Sequence, residues 1–259
     1  MPAPVRQAAP SDDLREVYEL RAELEYATPP PTPDLRLERK YQRLLELVAG
    51  TLPAPSLLDA GCGDGRYLAG IAQLADAPER LAGVDISERI LATAEQTLAR
   101  VGASAVLVRA NLESLPLPDG SFERVLCAQA IEHLRAPELG VAELARVLAP
   151  GGLLVLSTDN ARNYLTKGLN LPRSAAVRAL RLNGRRRLVD FPHASFTRAE
   201  VSALVSDCGL TVERLETFRM HLQAPLGRPT ATMFLNALDR RSPRHPWGDI
   251  VVVVARKPA

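Results

Sequence analysis

Short apolar runs alternate with helical patterns along most of this chain. The runs are rich in Val, Leu and Ala, and in the stretches between them apolar residues recur every three or four positions. Continuous apolar runs of this length are typical of strands that are buried on both faces of a parallel sheet. Their alternation with helices predicts an α/β fold with an open, mostly parallel sheet and helices on both faces.

The pattern predicts seven strands and four helices after residue 50. The strands are expected at residues 56–60, 81–84, 105–108, 122–127, 153–157, 210–217 and 249–254. The helices are expected near residues 66–74, 87–101, 137–148 and 198–206. A long connection, rather than a crossover helix, joins the last two strands, so we expect an antiparallel edge strand at that end of the sheet.

The first 50 residues follow a different pattern. A Pro- and Ala-rich tail precedes two helical patterns, near residues 14–26 and 35–49, which a proline-rich break separates. We predict an N-terminal tail and helical cap over residues 1–50 and one larger domain over residues 51–259. Two stretches of the larger domain, 161–190 and 219–249, interrupt the alternation and are expected to be lid insertions.

Composition restricts the class of protein. Of the 259 residues, 46% are hydrophobic and 24% are charged, which supports a buried core. No apolar run approaches the length of a membrane span, and the first residues lack the apolar segment of a secretory signal. The three cysteines form no CxxC pair, which argues against a disulfide framework or a zinc knuckle. We expect a cytoplasmic protein.

Charge is distributed unevenly, although the net charge is only +2. Residues 161–190 contain eight basic residues and one acidic residue, and residues 219–249 contain five arginines and two aspartates. The rest of the chain is mildly acidic. Such a distribution concerns the partners of a protein rather than its fold.

A glycine-rich loop, Leu58-Asp-Ala-Gly-Cys-Gly-Asp-Gly65, follows the first predicted strand. Glycines let a backbone turn tightly and approach a ligand. The third glycine of a dinucleotide fingerprint is replaced by Arg66, and no Gly-Lys-Ser/Thr of a P-loop follows. Asp85 ends the second predicted strand, where a carboxylate can accept hydrogen bonds from two ribose hydroxyls. The pair of features predicts a nucleoside site.

These residues resemble motif I of the class I S-adenosylmethionine-dependent methyltransferases. Later stretches resemble further motifs of that family in the same order: 111–123 the adenine loop, 128–134 the substrate-facing loop, 144–157 the Pro-Gly-Gly turn with the fifth strand, and 251–257 the terminal strand. The similarity extends to the small-molecule branch, including O-methyltransferases of the ubiquinone pathway. It implies a Rossmann-like fold and S-adenosylmethionine as the cofactor, with S-adenosylhomocysteine as its product.

The resemblance assigns the cofactor site. It implies that Gly61 and Gly63 line the methionine end, that Asp59 helps to anchor the amino group, directly or through water, and that Asp85 holds the ribose. The adenine would meet Asn111, where many relatives have Asp. The remaining implied contacts are Ile86, Leu112 and Ala128, and plain core packing is the alternative for Ile86 and Leu112.

His133 is the candidate general base, because the loop after the fourth strand faces the methyl group in relatives. The alternative is a structural histidine. Some relatives hold a divalent metal with Glu-x-x-Glu-His and a distant histidine. The corresponding residues are Gln129, Glu132, His133 and His193, and the first carboxylate is missing, which weakens a site for a hard cation. We expect no metal.

The acceptor is expected to be a small molecule that is methylated on oxygen, less readily on nitrogen: a secondary metabolite, a quinone precursor, or a glycan or lipid-linked intermediate. Tyr18 or Tyr26 would help to roof its pocket. The basic stretch 161–190 is a solvated lid, a contact for an anionic group or a membrane surface, or a site for RNA phosphates.

An RNA methyltransferase is therefore the alternative function. The 4% aromatic content argues against it, because single-stranded bases are recognised largely by stacking. A regulatory subunit that binds the cofactor without turnover is a third reading. The sequence does not determine the oligomeric state.

Overall fold

The computed structural model describes residues 15, 16, 18, 19, 39–162, 194–218 and 248–259. The helices are α1 (Arg39–Ala49), α2 (Arg66–Ile71), α3 (Glu88–Arg100), α4 (Pro137–Val147) and α5 (Arg198–Asp207), with a short 3₁₀ helix at Ile131–His133. The strands are β1 (Ser56–Ala60), β2 (Arg80–Asp85), β3 (Val106–Arg109), β4 (Phe122–Ala128), β5 (Leu148–Asp159), β6 (Thr211–Phe218) and β7 (Ile250–Arg256). Every strand predicted from the sequence is present.

The seven strands form one sheet in the order β3-β2-β1-β4-β5-β7-β6. Neighbours from β3 to β5 pair in parallel, whereas β7 pairs antiparallel with both β5 and β6. The predicted open, mostly parallel sheet is confirmed, as is the antiparallel pairing at its far end. The antiparallel strand itself is β7, which lies one position in from the edge strand β6.

Strand β5 is longer than predicted, because it begins at Leu148 rather than at residue 153. Phe122 pairs with Leu148, and Arg124 pairs with Leu153, so the register shifts between the two pairs. The shift accommodates the Pro-Gly-Gly turn within the strand. A turn of this composition ordinarily marks a loop, and no local pattern predicts that Leu148, before it, pairs with β4.

Two hydrophobic layers cover the sheet. On one face, Val141 and Leu144 of α4 and Val201 of α5 pack with alternate residues of the central strands. On the other face, α1, α2 and α3 contribute a second cluster that includes Leu44, Leu68 and Leu98. Alternate residues of the strands therefore point into different layers. The inner strands β2, β1, β4, β5 and β7 are mostly buried, as their sequences predict, whereas the edge strands β3 and β6 are partly exposed.

Helix α1, from the predicted cap region, packs directly on the sheet. Its apolar face joins the second hydrophobic cluster, and Arg43 forms an ion pair with buried Glu216 of β6 at 2.8 Å. Of the earlier predicted helix, residues 15, 16, 18 and 19 are helical. The division at residue 50 stays a prediction.

The two predicted lid insertions lie outside the described residues, except for their termini at 161–162 and 248–249. Within the described part of the chain, no helix is both long enough and apolar enough to cross a membrane.

Candidate functional site

The loop between β1 and α2 bends back over the end of the neighbouring strand. The N–H groups of Gly61 and Cys62 both donate to the carbonyl oxygen of Val84, at 2.8 Å each. Gly61 has φ +79°, and a Cβ at this position would lie 2.5 Å from the Cβ of Ala130. Only glycine fits, so the loop after β1 touches the loop after β4 because residue 61 has no side chain.

Asp59 lies beneath this loop as a buried carboxylate. It is 0% exposed, and among the described residues neither of its oxygens has a hydrogen-bond partner. Burial, with smaller contributions from the negative charges of Asp85 and Asp64, raises the pKa of Asp59 to about 8. Buried carboxylates without partners are costly, and they suggest a partner that arrives with a ligand.

Asp85, at the end of β2, organises the same loop from the side. Its Oδ2 accepts the N–H of Gly63 at 3.0 Å, and its Oδ1 accepts the N–H of Ser87 at 3.1 Å. Burial raises the pKa of Asp85, although these N–H donors act in the opposite direction. Asp85 as a residue is partly exposed, and each carboxylate oxygen can accept a further hydrogen bond.

Above Gly63 there is open space. A Cβ on this residue, which has φ +54°, would meet no atom within 4 Å. A ligand can therefore approach the backbone here, in contrast to the crowded position of Gly61. Ile86 directly follows Asp85 and is partly exposed.

Asn111 and Leu112 follow β3, and Ala128 ends β4. Both Asn111 and Leu112 are buried, and a Leu112 methyl carbon comes within 3.6 Å of the position a Gly61 Cβ would take. Because β3, β2, β1 and β4 are neighbours in the sheet, their carboxyl ends meet at one edge. The structure thus brings all eight predicted cofactor residues to that edge: Asp59, Gly61, Gly63, Asp85, Ile86, Asn111, Leu112 and Ala128.

His133 ends the 3₁₀ helix after β4, next to this edge. The Tyr18 ring contacts its imidazole edge-on, with 6.0 Å between centroids. The next residue of that N-terminal segment, Glu19, accepts the Ser87 hydroxyl at 3.0 Å and the Glu88 N–H at 2.8 Å. The segment therefore contacts both the region after β2 and the region after β4.

Comparison with known proteins identifies the family. Residues 58–156 match a family described as "Methyltransferase domain". A probable S-adenosylmethionine-dependent methyltransferase of Mycolicibacterium smegmatis is 34% identical over 178 residues, which are 69% of this chain and 59% of that protein. The chain belongs to the class I S-adenosylmethionine-dependent methyltransferases. S-adenosylmethionine is the cofactor of this family.

A second relative of this chain is a ubiquinone biosynthesis O-methyltransferase of Dechloromonas aromatica. It is 32% identical over 119 residues, 44% of this chain and 50% of that protein. The chain thus spans between half and three fifths of the length of these two curated relatives.

Solved structures share the methyltransferase fold. A putative methyltransferase in complex with the Haloferax volcanii Trm112 methyltransferase activator superposes with a TM-score of 0.63 at 16% identity, over 95% of this chain and 98% of the other. Magnesium protoporphyrin IX methyltransferase of Synechocystis with bound SAH gives 0.59 at 16% identity, over 95% and 99%.

Two residues of the hypothetical metal site form hydrogen bonds within the chain. Gln129, at φ +53°, donates through Nε2 to Asp159 at 2.6 Å, and the Glu132 carboxylate, 1% exposed, accepts the Thr158 hydroxyl at 3.0 Å. His193, the distant partner, lies outside the described residues. Among those that are described, no group of three or more His, Cys, Asp or Glu is placed to hold a metal ion.

Two residues at the site, Glu19 and Glu113, are not predicted from the sequence. Glu19 lies in a helical pattern whose contacts are distant in sequence. Glu113 follows Asn111 by two positions, a spacing typical of an Asx turn, and its N–H does donate to Asn111 Oδ1 at 3.0 Å. That spacing could have predicted the turn, but it does not predict the other contacts of the Glu113 carboxylate.

Proposed function

We propose that this protein transfers the methyl group of S-adenosylmethionine to an oxygen of a small-molecule acceptor. The observation that carries the proposal is the buried Asp59 carboxylate, with neither oxygen paired among the described residues, beneath a glycine loop that Asp85 organises. An ammonium group next to Asp59 would supply the missing partner. When bound, the cofactor supplies an ammonium at its methionine end and a methyl group activated by a positively charged sulfur.

The chain offers a suitable group for each part of this cofactor. Asp59 attracts the ammonium, the open backbone at Gly63 admits the methionine end, and Asp85 accepts the ribose hydroxyls. Asn111 meets the adenine edge, and Ile86 and Leu112 pack on the ring faces. The assignment needs no rearrangement of the loop, because hydrogen bonds from Gly61, Gly63 and Ser87 already hold it.

His133 is proposed to act on the acceptor. When the methyl group passes from the sulfur to the acceptor hydroxyl, that hydroxyl would have to give up its proton. His133 would accept it, because an imidazole has a suitable pKa near neutral pH. The rest of the rate acceleration comes from holding the two reactants in line and excluding water. Tyr18 packs on His133 and would limit access of solvent to that side.

The nature of the acceptor is inferred from a relative. One relative is named as an O-methyltransferase of ubiquinone biosynthesis, which supports oxygen as the methylated atom and a quinone precursor or secondary metabolite as the acceptor. A cytoplasmic location and contact of residues 161–190 with an anionic acceptor or membrane surface belong to the same proposal. Those residues lie outside the described part of the chain after 162.

Incubation of the purified protein with methyl-labelled S-adenosylmethionine and extract of its source cells tests the proposal. The extract is separated into small molecules and macromolecules, and Asp85→Ala and His133→Ala serve as controls. We expect label in a small molecule, lost with either variant, and mass spectrometry of the product to show a methylated oxygen. Label in nuclease-sensitive polymer would establish the RNA alternative instead.

A direct binding measurement tests the third reading, a subunit that binds the cofactor without turnover. If calorimetry shows tight binding of S-adenosylhomocysteine while no fraction of the extract takes up label, the chain is a binding subunit without turnover. In that case the cofactor assignments hold and the transferase proposal is wrong.

A further inference from the structure

The carboxylate of Glu113 joins the loop that follows β3 to the segment that follows β4. Its Oε1 accepts the backbone N–H groups of Arg135 at 2.7 Å and Ala136 at 2.8 Å. Its Oε2 accepts an N–H of the Asn111 side chain at 3.2 Å. A single side chain therefore contacts the predicted adenine residue and the end of the loop that carries His133.

The first of these contacts stabilises the start of α4. Ala136 is the residue before the helix, it has no side chain able to cap, and Pro137 takes the first helical position. N–H groups at the start of a helix lack acceptors within it and favour nearby negative charge. Glu113 supplies both the acceptor and the charge. Its carboxylate is thus held in place by two backbone N–H groups.

The second contact fixes the orientation of the Asn111 amide. The backbone N–H of Glu113 donates to Oδ1 at 3.0 Å, while Nδ2 donates to the Glu113 carboxylate at 3.2 Å. Rotation of the amide by 180° would turn its nitrogen toward an N–H and its oxygen toward a carboxylate. Both contacts oppose that rotation, so the positions of nitrogen and oxygen follow from the hydrogen bonds.

The remaining groups of Asn111 match adenine. After these two bonds, Oδ1 keeps a lone pair and Nδ2 keeps one N–H. A carboxamide that presents an acceptor beside a donor complements the amino group and ring nitrogen of an adenine edge. We propose that Glu113 is a positioning residue that determines adenine recognition by fixing the amide of Asn111. This inference rests on the proposed function, which places adenine at this loop.

Reciprocal substitutions test the pair. Asn111→Asp would put two carboxylates 3.2 Å apart, where Asn111 now donates to Glu113. Glu113→Gln keeps an oxygen for Arg135 and Ala136 but turns an NH₂ group toward the NH₂ group of Asn111. In the double variant Asn111→Asp/Glu113→Gln, a donor again faces an acceptor. We expect each single change to weaken binding of S-adenosylhomocysteine about tenfold or more. The double variant should bind more tightly than Asn111→Asp alone, but more weakly than wild type, because residue 111 then has no N–H for the ring nitrogen.

Selectivity provides a readout that loss of stability does not change. S-inosylhomocysteine carries an oxygen in place of the adenine amino group, so the wild type should prefer S-adenosylhomocysteine, and Glu113→Gln should reduce that preference. Glu143→Gln is the matched control. Glu143 ties the same loop to α4 by accepting the Leu115 N–H at 2.6 Å, and none of its bonds involves Asn111. This control should retain the wild-type preference.

The outcomes separate the two proposals. Recovery in the double variant, with reduced selectivity in Glu113→Gln alone, supports the role of Glu113. Additive losses in the double variant, or unchanged selectivity in Glu113→Gln, overturn it while leaving the cofactor site intact. Failure of the wild type to bind S-adenosylhomocysteine overturns the cofactor assignment and this inference with it.

Discussion

Tyr18 and His133 meet edge to face, with their ring planes inclined by 72°. The two residues come from distant parts of the chain, one before the sheet and one directly after β4. Edge-to-face contact between aromatic rings is favourable, and it fixes the direction of the imidazole plane. An N-terminal residue thus helps to orient the proposed base.

Replacement of His133 should separate turnover from cofactor binding. We expect His133→Ala to lower kcat by about 10²–10⁴, because the acceptor proton loses its base. Affinity for S-adenosylhomocysteine should stay within about threefold of wild type, since the implied cofactor contacts do not involve this side chain. Steady-state kinetics and calorimetry measure the two effects. Wild-type turnover in this variant would remove His133 from the mechanism.

Replacement of Tyr18 should affect the acceptor more than the cofactor. Tyr18→Ala removes the ring that packs on His133, and we expect a rise in KM for the acceptor and a several-fold lower kcat. Tyr18→Phe is the control, because it preserves the ring contact and should stay close to wild type. Equal losses in both variants would indicate that the hydroxyl, rather than the ring, is the important group.

Asp59 should link cofactor binding to pH. With a pKa of about 8 in the folded protein, Asp59 is protonated at pH 7 and must ionise to pair with an ammonium. Affinity for S-adenosylhomocysteine should therefore rise as the pH approaches 8, and binding at pH 7 should release a proton. Calorimetry in buffers of different ionisation enthalpy measures that release, which should disappear in Asp59→Asn.

Asp59 should also make the stability of the ligand-free protein depend on pH. The pKa of Asp59 is raised above its ordinary value of 3.8, so between about pH 4 and pH 8 only the folded chain keeps this proton. The contribution to the free energy of unfolding is complete below that window and is lost as the pH rises through about 8. At pH 9, Asp59→Asn should be more stable than wild type by about 1–3 kcal/mol, yet bind S-adenosylhomocysteine about 10–100-fold more weakly. Chemical denaturation at pH 4 and pH 9 tests this, and a wild type at least as stable as the variant at pH 9 would contradict it.

Asp85 should contribute to cofactor affinity in two ways, by accepting hydrogen bonds from the ligand and by holding the glycine loop. Asp85→Ala removes the acceptor of the Gly63 and Ser87 N–H groups together with that of the ribose, and we expect about a hundredfold weaker binding of S-adenosylhomocysteine. Asp85→Asn retains one acceptor oxygen, so its affinity for S-adenosylhomocysteine should lie between those of wild type and Asp85→Ala. Unchanged affinity of the alanine variant by calorimetry would show that the ribose binds elsewhere.

A glycine pair can separate steric conflict from backbone strain. Gly61→Ala would place a methyl group 2.5 Å from the Cβ of Ala130, whereas Gly102→Ala, at a similar φ of +68°, would meet no atom within 4 Å. We expect Gly102→Ala to cost about 1 kcal/mol of folding free energy, and Gly61→Ala to cost a further 1–3 kcal/mol or so and to weaken cofactor binding. If urea denaturation gave equal costs for the two variants, the loop after β1 and the loop after β4 would be able to move apart without loss of folding free energy.

The sequence was most informative where a pattern is local. Residues 56–60 were predicted as a strand and form one with those bounds, and the glycine loop with Asp85 indicated the cofactor edge. Contacts through space gave no such pattern. The start of β5 depends on the pairing of Phe122 with Leu148, and the position of β7 depends on which strand edges remain open. Glu19 and Glu113 are ordinary acidic residues in sequence, and only the folded chain brings them to the backbone N–H groups that they bind.

The position of β7 between β5 and β6 has a consequence for the order of folding. During synthesis, β6 is complete well before residues 250–256 exist, yet its hydrogen-bonded neighbour in the sheet is β7. Until then β5 presents an unpaired edge, and β6 with α5 has no strand to join. The apolar edge of β5 is therefore open to pairing with strands of other chains until β7 has been synthesised.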